Sequence, residues 1–114
     1  MTRLSRIAPE MPAADLRSAL QHYVLRLGFT VAMELSDYAI VERDGAAIHL
    51  FEDIGRKHSP VGIHIFTPDL DELFAELSQR GALVTQGIEK KPWGNREFRV
   101  RDDFGNEIKF TEPA

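Results

Sequence analysis

Apolar and polar residues alternate through eight short runs of the chain, and two further runs repeat their apolar residues at helical spacing. The alternating runs are residues 6–11, 29–35, 38–42 and 46–52, then 61–67, 83–88, 97–101 and 107–112. A period of two puts successive side chains on opposite faces, so each run predicts a strand with one apolar face. Between residues 15 and 27, Leu16, Ala19, Leu20, Tyr23, Val24 and Leu27 fall on one stripe. Between residues 70 and 79, Leu70, Leu73, Phe74 and Leu77 do the same. Both stripes predict amphipathic helices. Asp15 and Asp69 stand where they can cap the helix starts, and Gly28 and Gly81 where they can close the ends. Each half of the chain therefore predicts strand, helix and three strands.

The halves also match residue by residue. "DGAAIHLFE" and "FGNEIKFTE" align without a gap, pairing Gly45 with Gly105, Ile48 with Ile108, His49 with Lys109 and Glu52 with Glu112. Tyr38 falls on Phe98 at the same spacing of 60 residues. Earlier, "DLRSALQHYVLRLGF" resembles "DLDELFAELSQRGAL", starting from Asp15 and Asp69. The order of the matches points to a duplicated βαβββ unit. The expected fold is α+β, with modules over about residues 1–53 and 60–114. The connecting loop, residues 53–60, is too short to separate them, so residues 1–114 are expected to form one domain.

A chain of 114 residues, 43% hydrophobic, has the size to bury one core. It has no cysteine, which excludes disulfides, thiolate metal sites and cysteine nucleophiles. No apolar run approaches the roughly 20 residues that cross a bilayer, and "MTRLSR" lacks the apolar segment of a secretory signal. A cytoplasmic location is expected. The net charge of −4 argues against non-specific nucleic-acid binding, which normally needs a basic face.

The stretch "REFRVRDDFGNEIKFTE" reads as a hairpin with an apolar face and a face bearing both charge signs. Together with "PEMPAADL", "LGF" and "DGAAIHLFE", its extended form "WGNREFRVRDDFGNEIKF" resembles the vicinal-oxygen-chelate superfamily of glyoxalase I, extradiol dioxygenases, fosfomycin-resistance enzymes and bleomycin-resistance proteins. Pro9, Pro12 and Trp93-Gly94 resemble most the bleomycin-resistance subgroup. The resemblance implies curved sheets with helices outside and a concave cup. It also implies a homodimer in which halves of two chains complete two pockets. Ile48, Ile108, Phe98 and Val100 would then face the helices, and His49, Phe51, Arg99 and Lys109 the cup.

Superfamily enzymes hold a divalent metal at inward positions of four strands. By resemblance these fall on Ala8, His49, Gly62 and Lys109, of which only His49 is a ligand. A shift of two residues would bring in His64. A catalytic metal needs about three protein ligands, and an ammonium group beside a dication adds repulsion. No metal and no other cofactor is expected.

The candidate ligand-binding residues are Glu10, Tyr38, His49, Phe51, His64, Trp93, Arg99 and Lys109. His49 and His64 are either hydrogen-bonded, partly buried histidines or ligand contacts able to donate and accept. Glu10 either pairs with Lys109 or Arg99 or serves as a general base. Trp93, in the loop sequence "KKPWGN", either caps the core or forms a stacking wall. Phe66 is expected in the core, and His22 and His58 on the surface. Glu97 and Arg101 are placed near a solvated rim. The implied function is metal-free binding of a small organic molecule, of which bleomycin-type glycopeptides are the subgroup's example, by sequestration without catalysis. The alternative is a metal-independent isomerase or lyase using Glu10 or a pocket histidine. A third reading is sensing of an endogenous metabolite. No nucleophile–base pair or phosphate loop stands out.

Overall fold

The computed structural model describes residues 2–114. Its elements run β1 (Glu10–Ala13), α1 (Leu16–Leu25), β2 (Thr30–Glu34), β3 (Tyr38–Arg43) and β4 (Ala46–Glu52), then β5 (Gly62–Phe66), α2 (Leu70–Gln79), β6 (Leu83–Lys90), β7 (Arg96–Arg101) and β8 (Glu107–Glu112). The fold is α+β, and the order βαβββ occurs twice. The sheets have the orders β1-β4-β3-β2 and β5-β8-β7-β6. In each, the first strand is parallel to the last and the other pairs are antiparallel. The duplication read from the sequence is thus a duplication of topology.

The first strand lies further along than its alternation predicts. Arg6, Ile7 and Ala8 alternate correctly but meet no strand of their own chain. Leu4 is 99% and Ile7 96% exposed. Pairing begins where Glu10 comes opposite His49, with the Pro9 carbonyl accepting from the His49 amide. Pro12 has no N–H to donate, which β1 tolerates because it is an edge strand.

Each helix covers one face of its own sheet. In the first module the buried side chains are Leu16, Ala19, Leu20 and Tyr23 of α1 against Ala39, Val41, Ile48 and Leu50. In the second, Leu70 and Leu77 of α2 face Phe98, Val100, Ile108 and Phe110. The two sets merge into one buried cluster. Asp15 caps α1 by accepting from the Ser18 amide, whereas Asp69 makes no such bond at α2. There the Thr67 hydroxyl takes the Asp69 amide instead.

Polar contacts tie the modules together. The buried Tyr23 hydroxyl donates to Asp102 over 2.9 Å, joining α1 to the β7–β8 turn. Asn106, fully buried, donates to the Pro12 carbonyl at 2.8 Å and accepts from the Val61 amide at 3.0 Å. Arg43 reaches from the β3–β4 turn to both oxygens of Glu76 on α2. Gly28 makes room for it: a Cβ there would lie 2.6 Å from the guanidinium, and φ is +74°.

His22 is not on the surface. It is 5% exposed, covered by the other module's β7–β8 turn, and neither ring nitrogen has a hydrogen-bond partner. Burial lowers its pKa, against the opposing pull of Asp103 and Asp102. His58 is exposed as expected, with Nδ1 3.0 Å from buried Asp53.

Candidate functional site

The chemistry predicted for one cup is divided between two open sheet faces. Pairing places Glu10 opposite His49, His49 opposite Ile40, and Phe51 opposite both Pro12 and Tyr38. These side chains share the face of the first sheet that turns away from α1, since their neighbours Ala39, Val41, Ile48 and Leu50 are buried.

At its centre is a hydrogen-bonded chain. Tyr38 Oη lies 2.6 Å from Glu10 Oε2 and 2.7 Å from His49 Nδ1. A phenol has one proton. With that proton on the bond to the carboxylate, the second bond needs a hydrogen from His49 Nδ1. In the neutral ring, Nε2 is then the acceptor. Tyr38 thus fixes the histidine tautomer, and Glu10 fixes Tyr38. Ionising the phenol would forfeit the bond to Glu10 and set two anions side by side, so the hydroxyl's pKa is pushed up to about 12. Glu10 therefore pairs with Tyr38, and not with Lys109 or Arg99 as the sequence suggested. Phe51 packs edge-on against His58, with ring centroids 5.1 Å apart.

The second sheet's open face carries both charge signs. Lys109 stands between Arg99 and His64 across the strands. Arg99 is held by Glu97 and Glu107, each at 3.2 Å. Glu97 is 3% exposed, so it is this clamp and not a solvated rim residue. Arg101 is exposed. Lys109 makes no ion pair among the described residues, which leaves its ammonium available. His64 Nε2 is bonded to the Thr111 hydroxyl. Burial, then the Lys109 charge, lowers the pKa of His64 and favours its neutral form. Thr111, Glu97 and Glu107 were not among the sequence candidates. The signal for them was positional: each is a cross-strand or next-but-one neighbour of a candidate.

Phe66 is 60% exposed beside His64, with centroids 4.7 Å apart, and is not a core residue. Trp93, 67% exposed in the β6–β7 loop, caps no core either. The sheets share no strand pair, and among the described residues no hydrogen bond or ion pair joins the Glu10–Tyr38–His49 set to the His64, Arg99 and Lys109 set. Cavities of about 290 and 550 Å³ lie elsewhere and are lined by none of the eight candidate residues.

The metal positions also need correction. The inward residues opposite His49 and Lys109 are Glu10 and His64, two places beyond Ala8 and Gly62. The set does not fit a metal within one chain. Glu10 and His49 Nδ1 are engaged by Tyr38, an ammonium faces His64, and no three His, Asp or Glu donors converge among the described residues.

Residues 3–110 match the sequence model of the Glyoxalase/Bleomycin resistance protein/Dioxygenase superfamily. The chain belongs to this superfamily. Among its relatives, the bleomycin resistance protein of Geobacillus stearothermophilus is 26% identical, over 91% of this chain and 93% of that protein. The crystal structure of a bleomycin resistance determinant encoded on the transposon Tn5 superposes with a TM-score of 0.86 at 20% identity, covering 96% of this chain and 98% of the other. TioX from Micromonospora sp. ML1 gives 0.81 at 24% identity, covering 96% and 99%. These two structures share the fold of two βαβββ modules. The glyoxalase and bleomycin-resistance superfamily is thus represented here by a chain whose inward positions carry a lysine and a tyrosine-bound histidine.

Proposed function

We propose that this chain is a metal-free small-molecule binding protein of the bleomycin-resistance type. It sequesters an antibiotic or related organic ligand in a cup completed between two copies of the chain. One observation carries the reading: polar groups set for recognition lie on two open sheet faces that a single chain does not bring together. Pairing the first sheet of one copy with the second sheet of another would set Glu10, Tyr38 and His49 across from His64, Arg99 and Lys109. Such a cup offers acceptors on one wall and, on the other, the Lys109 ammonium beside the Arg99 clamp. Trp93 supplies an exposed flat surface on the loop between β6 and β7. The bleomycin-resistance relatives support the reading. A two-fold dimer is also the commonest closed assembly.

The test combines sedimentation with a thermal-shift screen of bleomycin, other antibiotics and metabolites. The expected results are a dimer at micromolar concentration and a raised melting temperature for at least one ligand. A ligand at a hundred times its Kd stabilises by about 2.7 kcal/mol. A monomer that binds none of the panel refutes the proposal. A second reading, a metal-independent isomerase or lyase, draws on the tautomer of His49. A histidine held at Nδ1 with Nε2 free can take a proton from a bound substrate. Chromatography and NMR of the recovered ligand separate the readings, since sequestration returns it unchanged, a lyase returns fragments and an isomerase returns an isomer of equal mass.

A further inference from the structure

On the open face of the second sheet, hydrogen-bond donors stand without acceptors while the carboxylates are engaged. The middle row of this face crosses all four strands, from Gln86 on β6 through Arg99 and Lys109 to His64 on β5. Gln86 joins the row because the register shifts on both sides of it. Val84 and Ile88 pack on the core, whereas Gln86 lies directly opposite Arg99, and directly opposite residues share a face. The Gln86 amide nitrogen is buried with no hydrogen-bond partner. Lys109 is half-buried and makes no ion pair among the described residues. The acceptors, by contrast, are in use. Arg99 donates to Glu97 through Nε and to Glu107 through Nη1, and the other oxygen of Glu107 takes the Thr85 hydroxyl.

The uncompensated charge lies on the β5 side of Lys109. Gly62, His64 and Phe66 share the open face there, and β5 holds no carboxylate. After burial, the Lys109 charge is the largest influence lowering the pKa of His64, ahead of the opposing pull of Glu97. Two residues along the same strand stands the exposed ring of Phe66, tilted 33° from the imidazole. A cation brought to this face would be repelled by Lys109 and would leave the Gln86 donor unmet. An apolar molecule would cover the ammonium without compensating it. We infer that the open-face site takes an organic acid with a planar or aromatic body. The carboxylate is received by Lys109, and the body extends over β5 onto Phe66. This inference rests on the binding reading above and adds the charge of the ligand to it.

The test uses three soluble probes of one shape: phenylpropionate, phenylpropanol and phenylpropylamine. Backbone amide shifts are followed during titration of the full chain. The net charge of −4 draws the amine at long range, so a preference for the carboxylate has to come from local donors. The carboxylate is expected to bind tightest and to move the amides of residues 62–66 and 107–111, with the alcohol weaker and the amine weakest. Lys109→Met keeps the stem and removes the charge. For a half-buried ammonium, between an exposed and a buried pair, it should weaken the carboxylate roughly threefold to tenfold and leave the alcohol unchanged. Phe66→Ser, at an exposed ring, should weaken carboxylate and alcohol alike. Equal binding of amine and carboxylate overturns the inference. So does a Lys109→Met variant that keeps the parent's preference, a Phe66→Ser variant that binds like the parent, or no shift in these two strands. The sequestration reading is tested separately, by sedimentation and the antibiotic screen. A dimer that binds an antibiotic but shows no preference for the carboxylate refutes the acid alone, and a monomer that shows the preference refutes the shared cup alone.

Discussion

Removing the Asn106 side chain should destabilise the whole chain and not merely one turn. In Asn106→Ala the Val61 amide and the Pro12 carbonyl each lose their side-chain partner, at 3.0 and 2.8 Å in the parent. Asp102 loses one donor but keeps three: the Tyr23 hydroxyl and the amides of Phe104 and Asn106. The damage is therefore two stranded backbone groups plus a small void. A stranded buried group costs about 1–3 kcal/mol, so the loss should total roughly 2–6 kcal/mol. That is a large part of the 5–15 kcal/mol expected for a domain. At about 4 °C per kcal/mol for this length, melting should fall by roughly 8–24 °C. Because Asn106 bridges β8 to both β1 and the start of the second module, the loss should appear in one cooperative transition. The assays are calorimetry and urea unfolding followed by circular dichroism. A midpoint shift worth less than about 1 kcal/mol would mean that the stranded groups find other partners at little cost. It would refute the account of Asn106 as the tie between modules.

Three further outcomes follow from the side chains described. In ultraviolet titration, Tyr38 should ionise near pH 12, and Glu10→Gln should bring it down towards the ordinary phenol value of 10, with Tyr23 silent because burial and Asp102 raise it further; an unchanged Tyr38 titration counts against the hydrogen-bonded chain. For His22 the lowered folded pKa means that the unfolded chain takes the proton first, so stability present above pH 6.5 is lost as pH falls below it. His22→Leu should flatten that loss, and an unchanged slope between the parent and the variant would disprove it. Trp93→Ala should alter stability by less than about 0.5 kcal/mol, as for other exposed positions, yet weaken a validated cup ligand about threefold to tenfold, read by calorimetry.

Periodicity made most of the fold legible, because burial on one face enforces it locally. Phe98, Val100, Ile108 and Phe110 could only point at a helix, and they do. The failures arise where a distant element decides. His22 lies beside the predicted stripe of α1 and is buried because the other module's turn lands on it. Residues 6–8 alternate like a strand but pair with none. Asp69 has the right type for a cap, but its backbone, with φ −117° and ψ 48°, departs from the extended conformation that Asp15 uses to cap α1, and its side chain accepts no amide. In the candidate site, the outward set of His49, Phe51, Arg99 and Lys109 followed from alternation once one face was given to the core. Tyr38 did not: the spacing of 60 matched it to Phe98, which is buried under α2, whereas the register sets Tyr38 beside Phe51 on the open face. The bond from Tyr38 to Glu10 did not, because β1 reaches β4 only through the parallel register. Nor did the separation of the faces, which depends on how two modules of the same pattern pack together.

The outermost strands have a bearing on how these molecules behave when crowded. β2 is irregular between Val31 and Met33, and β6 is irregular twice between Val84 and Glu89. Each lies at the free border of its sheet, where unpaired amides and carbonyls invite another chain to add on. A break in register bends the strand and disturbs that template. Pro12 does similar work at β1, where it withholds an amide donor on the side turned away from β4. The chain thus discourages open-ended growth into fibrils along three of its four sheet borders. Among the described residues, only β5 is left as a border strand with an uninterrupted ribbon of backbone.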